Sequence, residues 1–287
     1  MIFSASSSQA LAAALADATA HDLGAVTVER FADGERMARI HDDPGAHAVV
    51  VAATTSDAAH VECLQLQDAV REAGADSVTT VLPYMGYARQ DDAFRSGEPV
   101  SARAMARAIA TGTDRVVLVN PHEKSVVEYF DVPVAVVDAS DRLAAGLPDD
   151  LADPLVIAPD EGATALADGL QNAIDGGATD YFEKTRNRET GAVTVEPSDA
   201  DVAGRDVVLV DDIVATGSTM SEAIAALADR GARRVFVTCV HPVLAGSARE
   251  RLERAGTDRI VGTDTIDRSV SRVSAAPAVA TAIDPPE

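Results

Sequence analysis

The chain has 287 residues, 47% of them apolar, which is long enough for one large or two medium cores and too apolar for a disordered polymer. Its 46 acidic residues outnumber the 24 basic ones, and the net charge of -22 repels phosphate backbones, which excludes a sequence-independent grip on nucleic acid. Only two of the basic residues are lysines, Lys124 and Lys184, and an acid-rich, Lys-poor surface suits a protein dissolved in molar salt, where screening relieves self-repulsion.

Short β-branched runs alternate along the chain with Ala-rich stretches of helical period. In order, the pattern predicts a strand at 2–4, a helix at 8–20, strands at 26–30 and 48–53, a helix at 57–73, a strand at 77–82, a helix at 101–111, a strand at 115–120 and a helix at 122–130. Strands at 134–137 and 155–158 follow, then a helix at 161–174, a strand at 206–210, a helix at 218–231, a strand at 234–240 and a helix at 247–255. Most of these strands are near-continuous apolar runs, as expected when both faces are covered, so the alternation implies an α/β protein with parallel sheets. A polar stretch with Pro and Gly at 138–154 marks a domain boundary, giving an N-terminal domain over 1–143 and a C-terminal one over 144–274. Residues 187–204, rich in turn formers, read as an exposed mobile loop, and the Ala/Pro-rich tail 275–287 as partly disordered. Cys63 and Cys239 lie in apolar stretches and read as reduced, buried thiols. Neither a leader pattern nor an apolar run of membrane-spanning length is visible, so a cytoplasmic protein without membrane contact is expected.

The strongest chemical signal is V-V-L-V-D-D-I-V-A-T-G-S-T, residues 207–219. A buried strand ends in two acids, Asp211 and Asp212, and a tight loop leads into a helix near Ser218. Ligands of parallel α/β sheets sit beyond the carboxyl ends of the strands. Backbone N–H groups of Ala215, Thr216, Gly217, Ser218 and Thr219, the hydroxyls of three of them and the helix N-terminus together suit one dianionic phosphate. Like charge keeps the acids off that phosphate, but they suit the vicinal hydroxyls of a sugar. A capped helix after a strand explains one acid and one hydroxyl, not the whole constellation. No Walker loop or dinucleotide-binding glycine pattern is present.

Residues 211–219 resemble the phosphoribosyl-diphosphate-binding loop of type I phosphoribosyltransferases and ribose-phosphate pyrophosphokinases, with Ser218 where the usual form has Gly. Further segments resemble the pyrophosphokinases in particular: F-A-D-G-E at 31–35, the long run L-P-Y-M-G-Y-A-R-Q-D-D-A-F-R-S-G-E-P-V-S-A-R at 82–103, N-P-H-E-K at 120–124, V-I-A-P-D-E-G-A at 156–163 and Y-F-E-K-T-R-N-R at 181–188. The resemblance covers most of the chain and implies two tandem type I phosphoribosyltransferase-like domains with mainly parallel sheets. It implies that Phe31, Asp33 and Glu35 meet the base of ATP across a subunit interface and that Arg89, Gln90 and Asp91 contact ATP. It makes His122 a ligand of the Mg²⁺ carried by ATP, directly or through water, and puts Asp160 near the second Mg²⁺ or the ribose. His122 departs from the family pattern in its neighbours, since Asn120-Pro121 stands where Asp-Leu is usual. Lys184 and Arg186 become the catalytic cations over the transferring phosphoryl group, with Arg188 an alternative for the second.

The implied reaction transfers the pyrophosphoryl group of ATP to ribose 5-phosphate, held by Asp211, Asp212 and the loop Ala215, Thr216, Gly217, Ser218 and Thr219. Phosphoryl transfer rests mostly on positioning and charge stabilisation, and no dedicated general base stands out. The shared ATP site implies a homodimer or a higher homo-oligomer. A phosphoribosyltransferase shares the loop but has no need of residues 31–35 or 82–103. A non-catalytic regulatory homologue is expected to have lost Lys184, Arg186 or the paired acids, all of which are present. A transcriptional regulator on this fold needs a basic face, which the charge opposes.

Overall fold

Runs of Val, Ile and Leu too apolar to face water on either side build two sheets, each flanked by helices. The computed structural model describes residues 1–174, 176–186, 193–196 and 200–283. The chain divides into two units: one holds residues 1–138, 264–267 and everything from Ser274 on, the other residues 139–263 and 268–273.

The first unit opens with β1 (Ile2–Ser4), α1 (Gln9–Ala18), β2 (Leu23–Gly24) and an antiparallel hairpin of β3 (Val26–Arg30) and β4 (Arg36–Ile40). β5 (His47–Val51), α2 (Asp57–Glu72), β6 (Ser77–Leu82), α3 (Ser101–Ala110), β7 (Arg115–Val119) and β8 (Val134–Val137) complete it. Its sheet has the order β2-β1-β5-β6-β7-β8, and each pairing is parallel. Val49 stands opposite Ile2 on one side and Thr79 on the other, so β5 is central; Val49, Val50 and Val51 are fully buried. The Ser56 hydroxyl caps α2 by accepting from the Ala59 N–H at 3.2 Å. Gln65 of α2 fastens the hairpin. Its side chain donates to the Arg36 carbonyl at 2.7 Å and accepts from the Ala38 N–H at 2.9 Å.

The second unit contains β9 (Leu155–Ala158), α4 (Thr164–Ala173), β10 (Ala178–Tyr181), a hairpin of β11 (Glu183–Arg186) and β12 (Val193–Glu196), β13 (Asp206–Ile213) and α5 (Ser218–Asp229). β14 (Arg234–His241), α6 (Ala248–Ala255), β15 (Arg259–Thr263) and β16 (Ser271–Val273) follow. The sheet order is β10-β9-β13-β14-β15-β16, again parallel throughout. At the base of β13 the buried Asp206 carboxylate accepts from Arg233 Nε at 2.8 Å, Arg234 Nη2 at 2.7 Å and the Ala152 N–H at 2.7 Å. Burial opposes its ionisation, but the bonds from Arg234 and Arg233 outweigh that and hold it well below the usual carboxylate range.

Besides strands that the sequence pattern omits, β4, β10, β15 and β16 among them, four segments depart from it. The stretch 138–154 is no free linker: a 3-10 turn at Asp141–Gly146 buries Leu143 and Gly146 in the second unit. A Cβ on Gly146 would lie 2.3 Å from Val261 Cγ1, so only glycine permits that approach. The predicted helix 122–130 is a 3-10 helix over Lys124–Tyr129; with Val126 its one buried residue, it lacks the apolar face that sustains an α-helix. Part of the supposed mobile loop, Val193–Glu196, is β12, paired antiparallel with β11; residues 187–192 and 197–199 lie outside the described residues. From the supposed tail, α7 (Ala276–Ile283) forms, buries Val279 and Ile283, and packs on α1 of the first unit. The Asp264 carboxylate receives its entry, accepting from Ser274 Oγ at 2.6 Å and the Ala275 N–H at 2.8 Å.

Candidate active site

In the second unit, β13 runs three residues beyond its predicted end. Asp211 and Asp212 therefore belong to the strand, Asp211 opposite Cys239 of β14. Both are half-buried. Asp211 Oδ1 accepts from the Asp212 N–H at 2.9 Å and Asp212 Oδ1 from the Ile213 N–H at 2.8 Å. The turn that follows is pinned from the β14–α6 connection. Val214 N–H donates to the His241 carbonyl at 3.3 Å, and the carbonyls of Val214 and Ala215 accept from Leu244 and Ala245, each at 2.9 Å. Gly217 then takes the left-handed conformation, φ 71° and ψ 7°, as N-cap of α5. Its Cα lies so near α6 that a Cβ would stand 3.3 Å from both the Ala248 carbonyl oxygen and Leu252 Cγ. With the carbonyls of Val214 and Ala215 engaged on α6's side, the N–H groups of Ala215, Thr216, Gly217, Ser218 and Thr219 make no hydrogen bond among the described residues. Such a set of free donors at a helix N-terminus receives an anion. Thr216 and Ser218 hydroxyls lie 3.4 Å apart at its rim, and Ser218 Oγ also accepts from the Arg251 guanidinium of α6.

Asp160 sits on the neighbouring connection. Leu209 of β13 pairs with Ile157 of β9, so Asp160 and Asp212 each lie three positions further along adjacent parallel strands, at the same sheet edge. The Asp160 side chain makes no cap bond to the 3-10 turn that starts after it. Lys184 and Arg186 hold alternate positions on β11, opposite Val195 and Val193, immediately after β10, which flanks β9. Arg188 falls outside the described residues.

In the first unit the connections after β5, β6 and β7 gather at the carboxyl edge of the sheet. The Gly86 N–H donates to Thr54 Oγ1 at 2.9 Å, and a Cβ on Gly86 would overlap the Thr54 carbonyl oxygen at 2.0 Å. Tyr87 adopts φ 63°, a strained value for a side-chain-bearing residue, and its hydroxyl donates to Asp57 at the start of α2. Below it lies His60, 5.6 Å between ring centres, whose burial lowers its pKa and whose Nε2 has no hydrogen bond among the described residues. Gln90 is tied to α3: its carbonyl accepts from the Ala102 N–H at 3.1 Å and its side chain from Ser101 Oγ at 2.6 Å. The Asp91 carbonyl accepts from the Tyr129 hydroxyl at 2.6 Å. Arg89 is thus exposed on a backbone fixed on both sides. His122, also exposed, lies on the connection after β7, where Asn120 takes φ 36° and donates from Nδ2 to Asp138 at 2.8 Å. Phe31, Asp33 and Glu35 form the exposed turn of the β3–β4 hairpin. Phe31 N–H donates to the Glu35 carbonyl at 2.8 Å and Glu35 N–H to Asp33 Oδ1 at 3.1 Å; Phe31 itself is 45% exposed.

Residues 1–112 match the family model for the N-terminal domain of ribose phosphate pyrophosphokinase, and residues 104–275 match that for the phosphoribosyl transferase domain. A ribose-phosphate pyrophosphokinase of Halobacterium salinarum is 60% identical over 284 residues, covering 99% of this chain and 100% of the relative. The chain belongs to the ribose-phosphate pyrophosphokinase family. A Methanosarcina mazei pyrophosphokinase is 44% identical, covering 94% of this chain and 91% of its own. The solved phosphoribosylpyrophosphate synthetase of Mycobacterium smegmatis superposes with a TM-score of 0.82 at 29% identity, covering 99% of this chain and 97% of that one. That match spans both sheets, so the α/β fold with two phosphoribosyltransferase-type domains is that of the pyrophosphokinase family. Sequence reasoning missed the residues that hold the pyrophosphokinase segments in place: Gln65 under the hairpin, Ser101 and Tyr129 on the Arg89 loop, and Arg251 at the amide cup.

Proposed function

We propose that the chain transfers the pyrophosphoryl group of ATP to the anomeric hydroxyl of ribose 5-phosphate, giving phosphoribosyl pyrophosphate and AMP. The observation that carries this reading is the end of β13, where two carboxylates precede a cup of N–H groups that are unengaged among the described residues. Asp211 and Asp212 accept from the ribose hydroxyls, while Ala215, Thr216, Gly217, Ser218 and Thr219 donate to the 5-phosphate. Arg89 offers a planar fork to ATP oxygens, with Gln90 and Asp91 beside it. The exposed Phe31, with Asp33 and Glu35, completes the ATP site of a neighbouring copy of the chain, which makes the working form at least a dimer.

His122 would ligate the Mg²⁺ carried by ATP, directly or through water, and Asp160 would lie beside a second Mg²⁺ or the ribose. Among the described residues no three His, Cys, Asp or Glu side chains converge into a protein cage, and Mg²⁺ characteristically takes one or two protein ligands, waters and substrate phosphates. Bound there, Mg²⁺ offsets charge on the ATP phosphates. The protein contributes alignment of the anomeric oxygen with the β-phosphorus, and Lys184 and Arg186 stabilise the charge that builds on the transferring group. Arg186 is preferred to Arg188 because it alternates with Lys184 on β11. Acidity and near-absence of Lys support a cytoplasm of molar salt as the setting of this activity.

The test is incubation with ribose 5-phosphate and Mg·ATP in molar KCl. Equimolar AMP and phosphoribosyl pyrophosphate, with no dependence on an added nucleobase, is the expected result. Absence of turnover at any salt concentration overturns the assignment in favour of a non-catalytic homologue.

A further inference from the structure

α6 carries three arginines, and they are treated differently. Arg249 Nε donates to Glu253 at 2.8 Å and Arg254 Nη2 to Glu250 at 3.3 Å, each pair four residues apart on the helix. Arg251 has no such neighbour, since Ser247 and Ala255 stand at those offsets. Among the described residues its guanidinium pairs with no carboxylate; it donates from Nη1 to Ser218 Oγ. The place it occupies is the rim of the amide cup. The geometry of α6 fixes that placement, because Ala248 and Leu252 of the same helix back Gly217 directly.

We propose that Arg251 is a further substrate-binding residue, supplying a guanidinium to the 5-phosphate of ribose 5-phosphate from α6, and that Ser218 is its docking point. The inference rests on the assignment of the cup to that phosphate. Backbone N–H groups carry partial charges only, and the two carboxylates at the end of β13 oppose an incoming dianion. A full positive charge at the rim offsets them, and a guanidinium can grip two phosphate oxygens at once. The Ser218 hydroxyl stands where the loop's usual form has Gly. As an acceptor for Nη1 it holds the long Arg251 side chain over the cup before substrate arrives, lowering the rotamer entropy lost on binding.

The experiment compares the full-length chain with Arg251→Met, Arg251→Lys and Ser218→Gly in molar KCl. Direct binding of ribose 5-phosphate is measured by calorimetry, and KM is measured separately for each substrate. Arg251→Met is expected to weaken ribose 5-phosphate binding about tenfold or more, the worth of one charge-assisted contact, while KM for ATP and the thermal midpoint stay at wild-type values. Arg251→Lys recovers part of the loss. Ser218→Gly weakens binding less, and adding it to Arg251→Met produces no further loss. Unchanged ribose 5-phosphate affinity in Arg251→Met overturns the proposal. Parallel losses for both substrates with a lower midpoint also overturn it, since they mark a merely structural arginine. Failure of the wild-type chain to bind ribose 5-phosphate refutes the underlying assignment instead, so the two failures are distinguishable.

Discussion

Replacing Gly217 by Ala tests the cup through its backbone alone. The residue holds φ 71° and ψ 7°, and left-handed backbone costs an alanine roughly 1–2 kcal/mol relative to the right-handed region. The added methyl must also meet the Ala248 carbonyl oxygen and Leu252 Cγ at 3.3 Å, a tight contact that α6 can relieve by shifting a few tenths of an ångström. The variant has two ways out. It can keep the loop and lose about 1–2 kcal/mol of stability, or let φ relax and turn the N–H groups of Gly217 and Ser218 away from the ligand. In the second case each lost donor to a dianion weakens ribose 5-phosphate binding by about tenfold or more. Urea unfolding, with and without ribose 5-phosphate, measures both branches on the same samples. The loss of stability and the loss of binding together must amount to at least about 1 kcal/mol. A variant equal to wild type in unfolding midpoint and in KM for ribose 5-phosphate would refute the geometry assigned to this loop.

Three other outcomes follow from the same structure. Lys184→Ala should lower kcat on the order of a hundredfold with little change in either KM, the pattern of a contact made only in the transition state; a change in KM alone removes Lys184 from the catalytic group. Tyr129→Phe deletes one hydroxyl, the donor to the Asp91 carbonyl, and should raise KM for ATP several-fold while KM for ribose 5-phosphate and the urea midpoint hold; equal effects on both substrates contradict a role confined to the Arg89 loop. Asp206→Asn leaves Arg233 and Arg234 without their buried partner and should cost about 3–5 kcal/mol in urea unfolding. Because the folded pKa of Asp206 is depressed, its contribution is complete above the unfolded carboxylate value of about 3.9 and is lost as pH falls below it. The gap between wild type and Asp206→Asn should therefore shrink on acidification below about pH 4; a gap that widens there contradicts the ion-pair account.

Legibility along the sequence followed the apolar runs. Leu155–Ala158 begins and ends where the pattern places it, since a strand covered on both faces must be apolar from end to end, and Ser77–Leu82 and Val134–Val137 match their predicted bounds as well. Several strands with short or broken runs escaped, Arg259–Thr263 among them. Arg36–Ile40 pairs only in a two-stranded hairpin and keeps its arginines at the surface, Ala178–Tyr181 is a largely exposed edge, and Ser271–Val273 is too short to show a period. The acids and donors proposed for the cup stood out in the sequence because they are contiguous in the chain. What holds the sites was not: Tyr129 reaches a carbonyl 38 residues away and Arg251 a hydroxyl 33 residues away. Neither separation leaves a local signature, and an arginine beside glutamates on a helix reads as solvated surface until the helix is placed.

The acidity of the chain and the anionic nature of its proposed ligands are reconciled by range. At molar salt the screening length falls to about 3 Å, so a net charge of -22 hardly reaches a phosphate approaching through solvent. Contacts inside that length keep their strength. A site built for such a solvent has to act by direct hydrogen bonds rather than by attraction at a distance, and the end of β13 is made that way. Its donors are N–H groups fixed by strand pairing, by the bonds from Leu244 and Ala245 and by the glycine turn onto α6, none of which depends on net charge. Diluting the salt lengthens the field again and sets the whole acidic surface against the ligand while the donors stay where they are. On this argument, loss of ribose 5-phosphate binding at low salt precedes loss of the fold.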